Sequence, residues 1–361
     1  MELSELLAHM RAAQASDLHL VVGQKPVFRV AGRFERRDQD PVLDAHAMEA
    51  LVMPHLSERH RQTLAEARRD ADLTVSEGGR RFRMHVLRDR NGLAAALRAV
   101  PNRVPTLDEL EIGESSGLPL ANLTKLTRGL VVVTGPTGSG KSTLCAAMLE
   151  EINRTRAERI VTVEDPIEYE FESKLSLISQ RSVGEDISDY PAGLRAALYM
   201  DPDVIYVDRL RDLETTMLAL SLAETGHLVF VTLSVPTVSE AVQRIADSFP
   251  EGQRPVIRDM LSRNLQAVVA QMLLPRAGGA GRVPAHEILI GAPRVRQLVA
   301  AGVTDFGLAM EAGRGVGMQT FDDALLSLYA RGAISQQIAV SRMSDRGRMP
   351  APAPDESVAA A

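Results

Sequence analysis

The stretch G-P-T-G-S-G-K-S-T at 135 to 143 restricts what this chain can fold into more than any other. It stands between the apolar run L-V-V-V-T and the segment L-C-A-A-M-L, so a buried strand leads into it and a helix leaves it. The pattern is G-x-x-x-x-G-K-[ST]. Its glycines let backbone amides wrap a polyphosphate at a helix N-terminus, where the helix dipole also favours negative charge. Gly135, Pro136, Thr137, Gly138, Ser139, Gly140, Lys141, Ser142 and Thr143 are therefore the candidate residues for holding ATP. Lys141 would reach the β- and γ-phosphates, and Ser142 would offer its hydroxyl to Mg2+.

Around this loop, short β-branched runs alternate with helical stretches: G-L-V-V-V-T-G, R-I-V-T-V-E-D, V-I-Y-V-D and H-L-V-F-V-T-L. That alternation predicts an α/β domain with a largely parallel sheet flanked by helices. Helical periodicity dominates from about 238 to 342, apart from a short hairpin near L-L-P-R-A-G-G-A-G-R-V-P-A-H-E-I-L. Residues 1 to 100 read differently. L-H-L-V-V, V-F-R-V, R-F-R-M-H-V-L and L-A-A-A-L-R are strand-like, with a turn at Asn91-Gly92 and a helical stretch around 44 to 67, which predicts a small α+β domain. Pro101 and Pro105 mark a linker over 101 to 118, since proline lacks the donor needed inside a sheet or helix. The expected organisation is thus 1–100, a linker 101–118, a P-loop domain 119–344, and a disordered tail over 345–361 that lacks apolar content.

Charge and cysteine usage narrow the partners. Lysine plus arginine (41) nearly balances aspartate plus glutamate (47), so no global basic field argues for nucleic acid. Cys145 stands alone, which removes an internal disulfide or cysteine zinc cluster and fits a reducing compartment, the cytoplasm. Apolar runs fall well short of the ~20 residues of a spanning helix, so no direct membrane insertion is expected. M-E-L-S-E-L-L-A-H-M reads as an amphipathic helix, with acids where a signal peptide would be basic.

A set of further blocks carries a resemblance. A-S-D-L-H-L (15 to 20), R-F-R (81 to 83), V-E-D-P-I-E (163 to 168), I-S-Q-R-S-V-G (178 to 184), A-E-T-G-H-L-V-F (223 to 230), H-E-I-L-I-G (286 to 291) and G-M-Q-T-F-D (317 to 322) accompany the phosphate loop. Over roughly residues 3 to 342 the chain resembles the type IV pilus retraction ATPases, the PilT-like branch of the secretion ATPase superfamily. Type II secretion ATPases usually carry a four-cysteine zinc insert, which one cysteine cannot supply. The resemblance implies a RecA-like P-loop NTPase domain behind a PAS-like N-terminal domain, in a cytoplasmic hexamer that disassembles pili. It implies a homo-hexamer or a ring mixed with a paralogous ATPase, peripheral to the inner membrane through a pilus platform protein. It also implies that Glu164 and Glu168 of the acidic box, with Asp165 beside them, position or deprotonate the attacking water. Arg81, Arg83 and Arg98 resemble arginines that reach nucleotide phosphate across a subunit boundary. A-P-R-V-R-Q-L-V (292 to 299) resembles the short helix needed for retraction, with Val295, Leu298 and Val299 on one face.

Two positions depart from the family. Its strand usually ends in Gly-Glu, whereas V-I-Y-V here ends in Asp208-Arg209; its T-L-H-T is T-L-S-V (232 to 235), with Ser234 at the histidine position. Arginine neither ligates magnesium nor accepts a proton from water. If the family's register holds, Asp208 faces away and Arg209 faces the phosphates. Arg209 then either pairs with Glu164, Asp212 or Glu214, or neutralises the γ-phosphate without turnover. A slipped strand end would instead turn Asp208 inward as the Mg2+ and catalytic carboxylate. His227 reads as a structural residue opening a buried strand. Replacing Lys141 by alanine is expected to weaken ATP binding at least tenfold, by loss of a charge-assisted contact; equilibrium binding of ATP to the purified variant checks it.

Overall fold

A computed structural model of the protein describes residues 1–30, 33–66, 70–100, 103–112, 120–279 and 281–350. The chain divides into two compact units, Met1–Arg103 and Val104–Ala361.

In the first unit, helix α1 (Leu3–Ala12) buries Leu3, Leu6, Leu7 and Met10, the stripe that its spacing predicts. Strands β1 (Asp17–Val21), β2 (Val27–Val30) and β3 (Arg33–Glu35) are followed by helices α2 (Ala45–Val52) and α3 (Glu58–Glu66). Strands β4 (Ala71–Glu77), β5 (Arg80–Asp89) and β6 (Gly92–Ala99) complete a six-stranded sheet in the order β3-β2-β1-β6-β5-β4, every neighbouring pair antiparallel. One face is apolar: Leu18, Leu20, Phe82, Met84, Val86 and Leu97 pack with α1 and α2 residues. The period of two puts Arg81, Arg83 and His85 on the other face, where Arg83 is paired directly with Arg98 across the strands.

The second unit opens with a turn in which Leu107 and Ile112 join helix α4 (Leu120–Leu123) in a buried cluster. The stretch expected to be a linker is therefore partly core, because a leucine and an isoleucine five residues apart find an apolar face; residues 113–119 lie outside the described residues. A seven-stranded sheet follows, built from β7 (Gly129–Thr134), β8 (Arg159–Glu164), β9 (Leu177–Ser182), β10 (Val204–Val207), β11 (Leu228–Thr232), β12 (Leu265–Pro275) and β13 (Arg282–Ile290). Its order is β13-β12-β7-β11-β10-β8-β9, parallel throughout except for the β12-β13 hairpin. Helix α5 (Lys141–Thr155) covers one face, where Leu144, Cys145 and Met148 meet Val131, Val133, Tyr206 and Phe230. Helices α6 (Tyr190–Ala197), α7 (Leu213–Glu224), α8 (Val238–Asp247) and α9 (Arg254–Asn264) supply the other, against Leu130, Val132, Ile205, Val207, Val229 and Val231. Short helices α10 (Pro293–Ala300), α11 (Gly307–Ala312), α12 (Phe321–Ala330) and α13 (Gln336–Arg342) close the unit.

Two expectations are corrected here. Residues 265 to 272 are strand, not helix, and the hairpin is long. Leu265 and Ala267–Ala270 are buried on both faces beside β7, and a run that is apolar on both faces carries no period to distinguish strand from helix. The tail is ordered as far as 350. Buried Asp322 accepts from the Ser344 and Asp345 amides (both 2.8 Å), Arg346–Arg348 form a 3-10 turn, and Asp323 binds Arg348 (2.6 Å) and Arg314 (2.9 Å). Those polar partners replace the apolar content whose absence suggested disorder; residues 351–361 lie outside the described residues.

Burial alone would push the Asp323 carboxyl up, but its hydrogen bonds from Arg348, Arg314 and Thr320 hold it at about 2. A depressed carboxyl contributes stability that is present above its unfolded value near 4 and lost as pH falls toward 2. Asp323→Asn is expected to lower the stability of the C-terminal segment by about 1 kcal/mol at pH 7, with half-exposed arginines limiting the effect. Faster amide hydrogen exchange over residues 344 to 350, with a difference from wild type that shrinks as pH falls below 4, would be the readout.

Candidate functional site

The phosphate loop runs from the end of β7 to the start of α5. Gly140, the residue before α5, has φ +90° and no side-chain cap, so the first amides of a 15-residue helix are left for a ligand. Gly135 (φ +140°) and Gly140 press against β12: a Cβ would stand 2.3 Å from the Gln271 carbonyl oxygen at Gly135 and 2.7 Å from Gln271 Nε2 at Gly140. Lys141 curls back over the loop, its Nζ donating to the carbonyls of Gly135 (2.8 Å) and Pro136 (3.0 Å). Pro136, Thr137 and Gly138 are exposed at the rim, and Ser142 and Thr143 are half-buried. Thr143 Oγ1 lies 2.9 Å from the Tyr169 hydroxyl. Ser139 Oγ is buried without a hydrogen-bond partner, a polar side-chain atom left over in the cradle.

Beside the loop, β8 and β10 deliver two carboxyl groups to the α5 face of the sheet. Val204 and Tyr206 pack on that face and Ile205 and Val207 on the opposite one, and Asp208 continues the first set. The Tyr206 hydroxyl donates to Asp208 Oδ1 (3.4 Å), and the Asp208 amide donates to the Val163 carbonyl (3.0 Å). Glu164 follows Thr162 on the same face, accepting from Thr162 Oγ1 (2.6 Å) and Gln180 Nε2 (3.1 Å). Both acids are buried. Burial pushes Glu164 up to about 7, the Thr162 and Gln180 hydrogen bonds opposing and the Asp208 charge adding to the rise. Burial likewise pushes Asp208 up to about 6, with the Arg209 guanidinium pulling it down and Glu168 pushing it up.

Of the two directions open at the strand end, the structure has the inward one for Asp208, which lies on the side of α5 and the loop. The reason is the unbroken alternation through Val207, after which β10 stops and Thr232 Oγ1 ties down the Asp208 carbonyl. Arg209 is half-exposed and ion-paired to Asp208 at 3.9 Å. It is not bound to the three acids expected for it: Glu164 is held as above, Asp212 caps α7 by accepting from the Thr215 amide (2.8 Å), and Glu214 pairs with Arg195. Its charge still reaches the loop. Burial first, and then Arg209, lower the Lys141 pKa, while Asp208 offsets them.

The remaining expected residues are spread more widely. Asp165 pairs with Arg211 (2.9 Å), and Ser234 is exposed just past β11. His227 Nδ1 lies 2.9 Å from the Leu222 carbonyl at the end of α7, a structural contact. Arg98 donates to Asp17 (2.8 Å) and Arg83 to Asp72 (3.3 Å), both within the first unit, as is Arg81. On α10, Val295 and Val299 are buried and Leu298 half-buried, while Arg296 donates to the carbonyls of Gly291 (2.6 Å) and Arg263.

Comparison with known proteins decides what kind of site this is. The family model described as "Type II/IV secretion system protein" matches residues 2–313. The chain belongs to the type II/IV secretion system protein family. Within it, the chain is 42% identical over 340 residues to the type IV pilus retraction ATPase PilT of Pseudomonas aeruginosa, covering 94% of this chain and 97% of that protein. It is 35% identical to the type IV pilus ATPase PilU of the same organism, over 94% and 88% of the two chains. The fold matches a crystal structure of the pilus retraction motor PilT with bound ADP at a TM-score of 0.86 and 38% identity, covering 97% of this chain and 99% of that one. These matches bear out the α/β P-loop fold and the PilT-like resemblance.

Several residues of this secretion-family site are not among those predicted from the sequence. Gln180 on β9 joins the acidic box to the loop after it, donating also to the Tyr169 carbonyl (2.7 Å) and accepting from the Phe171 amide (2.9 Å). Its block, I-S-Q-R-S-V-G, was visible, yet nothing in spacing says that a glutamine there meets Glu164. Gln271 and Thr162 were equally hidden in apolar runs, where a lone polar residue is the available signal.

A carboxyl whose folded value is raised means the folded state holds its proton longer, so stability falls as pH rises from about 4.5 to 7. Glu164→Gln keeps the Oε1 acceptor for Thr162 and Gln180 without the charge. The variant is expected to lose this decline and to be more stable than wild type at pH 8; thermal unfolding from pH 4.5 to 8 measures it.

Proposed function

We propose that the chain is an ATP-binding motor subunit of type IV pilus machinery that hydrolyses ATP to drive pilus retraction. The observation that carries hydrolysis is the burial of Asp208 and Glu164 together on the α5 face, beside Lys141. Two carboxyl groups pushed upward next to the phosphate loop are matched to a site that gains a cation and a polyphosphate. Backbone amides at the start of α5, from Gly140 to Thr143, with the Lys141 side chain, bind the β- and γ-phosphates, and the orphaned Ser139 hydroxyl is available to donate there. Ser142 and Asp208 are the residues that would hold Mg2+, which supplies charge neutralisation on the phosphate oxygens.

Glu164, with Glu168 near it, positions a water and takes its proton as oxygen attacks the γ-phosphorus and the β–γ bridging bond breaks. Thr162 and Gln180 orient Glu164. In a subunit ring, as a homo-hexamer or mixed with a paralogous ATPase, Arg81, Arg83 and Arg98 would serve a neighbouring phosphate site. Identity to PilT and PilU supports that assembly, and a cytoplasmic location with a platform protein at the inner membrane as partner belongs to the same proposal. Among the described residues no helix is long and apolar enough to cross a membrane.

One observation favours a second reading, a hydrolysis-impaired regulatory subunit: Arg209 sits 3.9 Å from Asp208 and its charge bears on Lys141. Steady-state phosphate release separates the two. Asp208→Asn and Glu164→Gln are each expected to lower kcat by about 10² to 10⁴, while an Arg209→Glu, Ser234→His double variant changes it less than about tenfold. Negligible wild-type turnover with a large gain in the double variant would establish the impaired reading.

A further inference from the structure

Gln271 and His286 face each other across the β12-β13 ladder, beneath the phosphate loop. Both side chains are buried. Gln271 Nε2 donates to the Ser139 carbonyl (2.7 Å), and Gln271 Oε1 lies 2.7 Å from His286 Nε2. A carbonyl oxygen only accepts, so the amide nitrogen of Gln271 must face Ser139 and its oxygen must face the histidine. His286 must then carry its proton on Nε2 and donate. The histidine is fixed from behind as well: its carbonyl accepts from Gln319 Nε2 (2.8 Å), and the Gln319 backbone exchanges two hydrogen bonds with Ile288 (2.8 and 3.0 Å). Burial lowers the ring to about 4, so it stays neutral at pH 7.

We propose that Gln271 and His286 are positioning residues of the phosphate loop, which fix the Ser139-Gly140 peptide so that the Gly140 amide points at bound polyphosphate. The proposal rests on the nucleotide reading given above. In a planar trans peptide the C=O and the following N–H point in opposite directions. Drawing the Ser139 carbonyl down onto Gln271 therefore turns the Gly140 N–H away from β12, toward the hollow of the loop. The close approach is built in, since neither Gly135 nor Gly140 leaves space for a Cβ against Gln271. Without the Gln271 donor, the Ser139 carbonyl has no partner on that side and the peptide is free to rotate. Without the His286 donor, the Gln271 amide loses what decides between its two orientations. The chain thereby links the loop through β13 to the segment around Gln319.

The test uses the full-length protein and measures ADP affinity, ATP turnover and apo thermal stability for Gln271→Leu, His286→Leu and His286→Gln. Gln271→Leu is expected to weaken ADP binding about tenfold, the scale of one hydrogen bond lost from an ordered ligand site. KM is expected to rise more than kcat falls. His286→Leu should weaken ADP severalfold, and His286→Gln, which retains an Nε2 donor, should restore affinity to within about twofold of wild type. A merely structural role would lower the apo melting temperature and leave the affinity of the folded protein unchanged. Unaltered ADP affinity in folded Gln271→Leu or His286→Leu, or no rescue by His286→Gln, overturns the proposal. If Gln271→Leu does not fold, the two His286 variants decide. Wild-type protein that binds no nucleotide would sink the cradle reading itself, an outcome distinct from equal binding by wild type and variants.

Discussion

Every group of the candidate site hangs from one edge of a sheet that is buried on both faces. That double burial fixes the alternation of β7, β8, β10 and β11: one set of side chains must meet α5, and the other must meet α6 to α9. A slip of one residue in any of these strands would move every apolar side chain of that strand to the wrong layer. The positions of the polar residues just past the strand ends are consequences of that packing. Asp208 is on the α5 side because Val204 and Tyr206 are, and Glu164 because Thr162 is neighbour to Tyr206 in the ladder.

Electrostatics at this edge are set by scarcity of solvent more than by pairing. Asp208 and Glu164 are buried together while Lys141 is half-buried beside them, and Arg209 is half in water and 3.9 Å from Asp208. Exposure screens that arginine. It moderates the carboxyl of Asp208 and the ammonium of Lys141 without cancelling either burial effect. The substitution at 209 therefore leaves the α5 side with a carboxylate, supplied one residue earlier than the family's usual acid.

Much of the second unit was legible in the sequence because its signals are local. The phosphate loop, its preceding strand and its helix are contiguous, and the β-branched runs of β8, β10 and β11 are bounded by turns. What was hidden depends on contacts between distant segments. The strand at 265 to 275 has no period, since both its faces are covered, and β9 is a half-exposed edge strand whose last four residues, Ser179 to Ser182, are all polar. The sequence leaves the direction of Asp208 open between the family register and a slipped strand end, whereas its packed neighbours, Tyr206 and Val207, carry the alternation that places it. The order of residues 345 to 350 comes from Asp322 and Asp323, carboxylates in another helix, and no composition rule sees that.

Cys145 has a practical consequence. The chain's one thiol is fully enclosed between α5 and the sheet, and burial raises its pKa far above the usual thiol range. It is therefore a poor nucleophile toward maleimides or iodoacetamides in the folded protein. A cysteine introduced at an exposed position, such as Tyr199 or Leu308, would be the only reactive thiol without removal of the native one. The molecule is thus prepared for single-site spectroscopic labelling, with the helix behind the phosphate loop left in its natural sequence.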